Sequence, residues 1–133
     1  RTLFVAGFVG NPPMNVWPTE VVAEDGGFRA RSRDLTLPIA PERGAKAAGR
    51  GEVLLGIRAE DIRIGEEGVA GEVYIVEPLG RDDLVTVRVG AVDLHVLADP
   101  SLHLRIGDRV RLAFDADRVQ FFDPQTEQSL LWS

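Results

Sequence analysis

Cysteine is absent from this chain of 133 residues. That absence excludes zinc ribbons, iron–sulfur clusters and thiol catalysis, because each of them needs cysteine sulfur. Lysine occurs once, as Lys46, with an alanine on each side. A phosphate-binding loop needs a glycine-rich turn, then Lys, then Ser or Thr. We therefore expect no nucleotide hydrolysis, no other catalysis, no metal site and no cofactor in this stretch of chain.

Histidine is scarce as well, with only His95 and His103. A histidine needs a positioned partner to act in catalysis and several further ligands to hold a metal ion, so we expect packing or solvated roles for both. No serine lies in a Gly-x-Ser-x-Gly turn. The acidic residues at 82–83 and 115–117 are interpreted as turn formers, since Asp is favoured in turns.

Positive charge is in the minority, because the formal net charge is −6. Nucleic-acid binders usually carry the opposite balance, since contacts to phosphate supply much of their affinity. Arg29, Arg31 and Arg33 form a basic row, but Asp25 and Asp34 flank it. We interpret the row as a solvated strand face and expect no nucleic-acid partner.

Long apolar runs are missing, and no stretch approaches the 18 residues typical of a membrane-spanning helix. What the sequence does contain is alternation of apolar and polar residues, the pattern of strands with one buried face. The alternating segments are 28–33, 53–58, 85–89, 92–96 and 109–114. Gly- and Asp-rich turns separate them, so the spacing predicts an all-β fold of OB-like small barrel or sandwich modules.

Three other segments complete the organisation. Residues 71–80 predict a long strand that ends at a Pro–Gly corner, and residues 41–51, rich in Ala, Gly and Arg, predict an exposed loop. Thr2 can cap a short N-terminal helix that ends before Gly10. We therefore predict a helix and linker over residues 1–14, followed by a domain over 15–133 with two lobes, about 15–67 and 68–133.

Four segments, in this order, carry a family resemblance. They are residues 4–15 (FVAGFVGNPPMN), 55–62 (LGIRAEDI), 71–80 (GEVYIVEPLG) and 122–126 (FDPQT). Together they resemble the region that follows the nucleotide-binding domain in maltose-type ABC importer ATPases. The second segment is similar to that family's Leu-Gly-Ile-Arg-Pro-Glu-His signature, with Ala59 in place of Pro and Asp61 in place of His.

The resemblance implies a function for the whole chain. It implies a transport-associated OB domain that regulates an importer ATPase for sugars or related solutes. In that family two copies meet in the ATPase dimer, and some members take up inhibitory regulatory proteins here. The implied partners are therefore a second copy, the ATPase domain of the parent chain, the permease complex and a regulatory protein. ATP and Mg²⁺ would bind elsewhere in the parent, at the cytoplasmic face of the membrane.

Candidate interface residues follow from the resemblance and from the terminal helix. Phe4 and Phe8 lie on a helix too short to bury them alone, so we expect them to dock on the barrel or on the missing ATPase domain. Arg58 either pairs with Glu60 or Glu72 to hold its turn or faces a partner. The candidate interface and regulatory residues are Phe4, Phe8, Met14, Asn15, Gly56, Arg58 and Glu60.

An alternative function from a different class is a module that senses a small oxyanion or sugar, because relatives in oxyanion importers bind the anion in this region. Such a site would need backbone N–H groups and Ser, Thr or Lys side chains around an anion-sized cavity. Serine and lysine are scarce in this chain, which disfavours that alternative. A free-standing enzyme is the third and least favoured hypothesis.

Overall fold

The computed structural model describes residues 14–131, and these residues form two five-stranded antiparallel sheets. The first sheet has the strand order β10-β4-β1-β2-β3. Its strands are β1 (Met14–Glu24), β2 (Gly27–Arg31), β3 (Thr36–Ile39), β4 (Glu52–Arg58) and β10 (Gln120–Phe122). Asp25 and Gly26 join β1 to β2 with positive φ angles of 52° and 79°, as a two-residue hairpin turn of the Asp-Gly type requires.

The second sheet has the strand order β5-β9-β6-β7-β8. Its strands are β5 (Ile62–Gly65), β6 (Val69–Pro78), β7 (Asp83–Val89), β8 (Val92–Ala98) and β9 (Arg109–Phe114). The long strand expected over residues 71–80 is confirmed as β6. Its register with β7 shifts between Val73 and Ile75, so Tyr74 occupies a bulge. Strand β5 also approaches β8, so this sheet curls into a half-barrel.

A single hydrophobic core joins the two sheets. The alternation in β4 is confirmed, because Val53, Leu55 and Ile57 are almost completely buried. Side chains from β7, β8, β9 and β10 complete the same core. The all-β, OB-like fold class predicted from the sequence is therefore confirmed. The predicted N-terminal helix lies outside the described residues.

The prediction of an exposed loop over residues 41–51 is wrong, because Pro41–Ala47 form a helix, α1. Pro41 occupies its first turn, and Glu42 and Lys46 carry charges that suit its two ends. The helix packs through small residues. A Cβ atom on Gly44 would lie only 2.4 Å from Cγ of Phe28. Contact through Gly44 and Ala47 leaves no row of large apolar residues, so the sequence shows no helical periodicity.

The two-lobe division near residue 67 remains a prediction about domains. The sheets exchange strands across the chain, since β10 returns to the first sheet after β9 has completed the second. Two turns of 3₁₀ helix, Ala59–Asp61 and Pro100–Leu102, connect strands at the sheet ends.

One buried side chain connects the two sheets through hydrogen bonds. Asn15 of β1 is 5% exposed and reaches the backbone of His95 on the edge strand β8. Its Nδ2 donates to the His95 carbonyl oxygen at 2.8 Å, and its Oδ1 accepts from the His95 N–H at 2.7 Å. The amide thus makes the same pair of bonds that another strand would make at this edge.

We predict that Asn15→Ala destabilises the chain strongly. The change leaves the N–H and C=O of His95 without their partner, which should lower the free energy of unfolding by about 2–4 kcal/mol. Urea unfolding followed by tryptophan fluorescence measures this loss. Asn15→Leu, which restores the volume but not the hydrogen bonds, should be about as destabilised; recovery of stability in that variant would contradict the assignment.

Candidate functional site

The described candidate residues lie together at one end of the first sheet. Strands β1 and β4 run antiparallel, so Met14 pairs with Arg58 and Asn15 pairs with Ile57. The 3₁₀ turn that contains Glu60 follows directly. The register therefore brings residues 14–15 and 56–60 to one place, although about 40 positions separate them in the sequence. Phe4 and Phe8 lie outside the described residues, so their expected docking remains a prediction.

Gly56 is explained by the close packing of two side chains over it. A Cβ atom at this position would lie 2.7 Å from Sδ of Met14 and 3.0 Å from Cε2 of Phe122. Both side chains are buried although they lie on the side of the sheet that faces away from the main core, where Val16 and Leu54 pack against them. The absence of a side chain at Gly56 is what lets this small second cluster form.

A cleft of about 310 Å³ opens beside this cluster. It is lined by Met14, Arg58, Glu60, Asp61, Arg118 and Gln120. Three of the predicted interface residues, Met14, Arg58 and Glu60, therefore border one concave surface. The lining combines two arginines with two carboxylates, so the cleft offers both hydrogen-bond donors and acceptors to a partner.

Asp61 is the most perturbed carboxylate of the cleft. Burial raises the pKa of Asp61 above its ordinary value, and the nearby charges of Glu60 and Asp115 raise it further, whereas Arg118 and Arg58 oppose the shift. The backbone holds the group in place, because the N–H of Asp115 donates to the carbonyl oxygen of Asp61 at 3.0 Å. The ionised form of Asp61 is therefore disfavoured where it stands.

The structure also places the groups that sequence analysis considered for chemistry. The His95 ring lies 3.3 Å from Oγ1 of Thr86, and His103 ends the 3₁₀ turn Pro100–Leu102 in a left-handed conformation. Asp115 accepts from the N–H of Asp117, which confirms its turn role. Within residues 14–131, no three His, Asp or Glu side chains converge as ligands for a metal ion.

The basic row does not form a free cationic surface. Glu24 forms ion pairs with Arg29 at 3.3 Å and with Arg31 at 2.8 Å. Both arginines are substantially exposed, so these pairs are worth little to stability, but they reduce the positive potential that a phosphate backbone would need. The interpretation of this row as a solvated strand face is consistent with that pairing.

Sequence analysis missed half of the cleft. Besides Asp61, both Arg118 and Gln120 reach it from β10 and the preceding turn, more than 50 positions after Arg58 in the sequence, and Phe122 of the same strand packs in the cluster beside it. A signal did exist, since residues 122–126 carry part of the family resemblance. Nothing in that segment alone indicates that β10 pairs with β4.

We predict that Gly56→Val lowers the free energy of unfolding by about 2–3 kcal/mol, because the added methyl groups overlap Met14 and Phe122. Met14→Ala in the same chain should recover part of the loss by making room. Gly65→Val is the matched control, because a Cβ atom at Gly65 meets nothing within 4 Å. Equal losses at both glycines in urea unfolding would contradict the packing account.

We predict that Asp61→Asn stabilises the chain at neutral pH. A raised folded pKa means that ionised Asp61 costs stability above that pKa, whereas its favourable contribution is complete only below the ordinary value near 3.8. The gain at pH 7 should be small, because solvent screens the charges around a group that is only partly buried, and it should vanish at pH 3. Thermal unfolding across this pH range tests the sign, with the exposed Glu67→Gln as a control for loss of one charge.

Comparisons with known proteins identify the family. The family model of the TOBE domain matches residues 55–122, and that of the MalK OB fold domain matches residues 10–62. A solved structure of the cytoplasmic molybdate-binding protein ModG has a TM-score of 0.62 and 16% identity over 83% of this chain and 96% of that one. At that identity the likeness shows the fold alone. Among the described residues, no helix is long and apolar enough to cross a membrane.

Curated relatives are ATP-binding proteins of ABC transporters. The uncharacterized protein y4oS of Sinorhizobium fredii is 36% identical over 93% of this chain and 33% of its own length. SmoE of Agrobacterium fabrum, named for sulfoquinovosyl glycerol transport, is 36% identical over 98% and 37%. MalK of Thermococcus litoralis, named for trehalose/maltose import, is 36% identical over 96% and 37%. The chain thus spans about a third of these relatives.

The motifs at residues 55–62 and 71–80 agree with the two family models, which match in sequence order. They also agree with the OB-like fold and with the relatives among sugar importers. The TOBE model alone takes up just over half of the chain. This chain therefore belongs to the TOBE domain family, in the form found in the ATP-binding subunits of sugar-importing ABC transporters.

Proposed function

We propose that this chain is the regulatory and dimerisation domain of the ATP-binding subunit of an ABC importer for sugars or related solutes. The observation that carries the proposal is the pair of family models, which together take up residues 10–122. Relatives named as transport or import ATP-binding proteins align with more than nine-tenths of the chain but extend well beyond it. In this proposal ATP and Mg²⁺ bind in the rest of the parent, and this domain takes no part in the hydrolysis.

The cleft is the proposed contact with the ATPase domain of the parent chain. Strand β1 begins at Met14, and Met14 lines the cleft with Arg58 and Glu60, so an ATPase domain that precedes this chain would connect to the described residues beside the cleft. A surface with both signs of charge suits a contact that forms and separates, because its polar groups remain solvated when the partner moves away. Two buried residues hold this surface in place: Asn15 anchors the start of β1 to His95, and Gly56 leaves the space in which Met14 packs.

In the same proposal two copies of the domain meet and hold two ATPase subunits together during transport. The assembly would lie at the cytoplasmic face of the membrane, against the permease, and a regulatory protein could bind to it. Nucleic acid has no part in this function. The solute itself would be chosen elsewhere in the transporter.

The alternative of an oxyanion sensor receives no support from two of the clefts. Glu60 and Asp61 line the cleft described above, and Glu66 and Glu72 line a broader groove over β5, β6 and β9. Carboxylates at these positions repel an anion even where arginines are close by. A contact surface for proteins tolerates such mixed charge.

We predict weak self-association of the 133-residue chain. Sedimentation equilibrium should show a monomer–dimer equilibrium with a dissociation constant of roughly 0.1–1 mM, because most of the contacts that hold the parent dimer would lie in the ATPase part. A chain that stays monomeric at millimolar concentration would contradict an intrinsic dimerisation role. Calorimetric titration with molybdate and sulfate should give no heat at micromolar ligand; a clear isotherm would favour the sensor instead.

A further inference from the structure

A further cleft lies beside helix α1. It has a volume of about 270 Å³ and is lined by Glu42, Arg43, Lys46, Gln120 and Leu131. The first three belong to α1, Gln120 belongs to β10, and Leu131 is the last described residue. We call this concave surface the α1 cleft. Its volume lies near the lower end for ligand sites, so it suits a small molecule.

Two cations of the α1 cleft have no carboxylate partner among residues 14–131. The carboxylates that form ion pairs in that part of the chain are those of Glu24 and Asp93. Neither Arg43 nor Lys46 takes part in such a pair, although Glu42 lies one helical turn before Lys46. Their positive charge is therefore available to an anion that enters the cleft.

Backbone carbonyl groups hold both cations in position. A guanidinium N–H of Arg43 donates to the carbonyl oxygen of Val119 at 2.6 Å, and Nζ of Lys46 donates to that of Leu131 at 3.1 Å. Each side chain keeps further N–H donors, because a guanidinium carries five and an ammonium three. A carbonyl oxygen orders a cation without cancelling its charge, so an anion would meet donors that are already in place.

The helix that carries these cations is itself fixed against the first sheet. It packs on Phe28 through Gly44, and Ala47 in its last turn is completely buried. Side chains three positions apart lie on the same side of a helix, with about 5–6 Å between their Cβ atoms. Arg43 and Lys46 have this spacing, so one phosphate group is wide enough to contact both.

The two cations match the chemistry of a phosphate group. A guanidinium can bind two phosphate oxygens in parallel, and an ammonium supplies a point charge to another oxygen. A bare oxyanion fits the α1 cleft less well, because Glu42 in its wall repels negative charge. The ligand therefore needs a second part that Glu42 attracts.

Hydroxyl groups on a short carbon skeleton meet that need. The carboxylate of Glu42 accepts hydrogen bonds from hydroxyl groups, and the amide of Gln120 can both donate and accept them. Leu131 and the aliphatic stems of the two cationic side chains offer apolar surface to the carbon atoms. The lining thus combines donors for a phosphate with acceptors for hydroxyl groups.

We propose that the α1 cleft binds a small phosphorylated sugar or polyol. Arg43 and Lys46 hold its phosphate, and Glu42 and Gln120 bind its hydroxyl groups. The dissociation constant should be roughly 1 mM, because the cleft is open to solvent and salt screens its charges. Such binding does not depend on the dimerisation role proposed above, and it gives no measurable heat with bare oxyanions at micromolar concentration.

Titrations of the isotope-labelled chain followed by NMR test the site with three probes. Glucose 6-phosphate should shift the amide signals of α1 and β10 in a saturable way, inorganic phosphate should bind at least fivefold more weakly, and glucose should leave the spectrum unchanged. The absence of saturable shifts with glucose 6-phosphate up to about 20 mM would overturn the site. Equal affinities for glucose 6-phosphate and inorganic phosphate would overturn the assignment to a phosphorylated polyol.

Two exposed positions of α1 separate the phosphate contact from the hydroxyl contact. Lys46→Gln should weaken the binding of glucose 6-phosphate about tenfold, because glutamine keeps a donor for Leu131 but carries no charge. Arg81→Gln, in the exposed loop from β6 to β7, is the matched control. Equal effects of the two changes would reflect net charge alone and would overturn the site.

Glu42→Ala tests the hydroxyl contact through a ratio of affinities. Loss of the carboxylate relieves the repulsion of both phosphate probes, so the preference for glucose 6-phosphate over inorganic phosphate reports the hydroxyl contact. That preference should fall about threefold or more. An unchanged preference, in a variant whose free energy of unfolding equals that of the wild type, would overturn the selection of a polyol.

Discussion

The hydrogen bonds between Asn15 and the backbone of His95 are the constraint on which the rest of the structure depends. The two sheets share one core, but apolar packing by itself is not directional and leaves sliding of one sheet over the other inexpensive. A buried amide that bonds both backbone groups of one residue permits a single alignment. Because the loss of either bond leaves a buried polar group unsatisfied, these hydrogen bonds stabilise the alignment in addition to the apolar packing.

That alignment also builds the cleft. Met14 precedes Asn15 on β1, so when Asn15 turns inward to His95, Met14 turns outward over Gly56 and Phe122. Strand β10 must then lie beside β4 to supply Phe122, and it brings Arg118 and Gln120 with it. These features therefore depend on one another: Gly56 leaves space for Met14 and for Phe122 of β10, and those two side chains cover Gly56.

The sequence predicted the parts of this fold that depend on local periodicity. Alternation located the inward side chains of β4, and the Gly- and Asp-rich turns marked breaks between strands, because both signals are set by near neighbours. It failed at α1, where contact with Phe28 is made through Gly44 and Ala47 and small residues leave no periodic trace. It could not show that β10 pairs with β4, because that pairing depends on the completed second sheet. Family resemblance located residues 56–60 but not the bulge at Tyr74, which breaks the alternation without any glycine to mark it.

A continuous row of residues connects the cleft with the exposed side of β6. His95 pairs with Thr86 on β7, and Thr86 pairs with Ile75, an exposed residue of β6. On its other side His95 bonds Asn15, the neighbour of Met14 in the cleft. Every link in this row is a backbone register or a buried hydrogen bond, so the row cannot shorten or bend without breaking one.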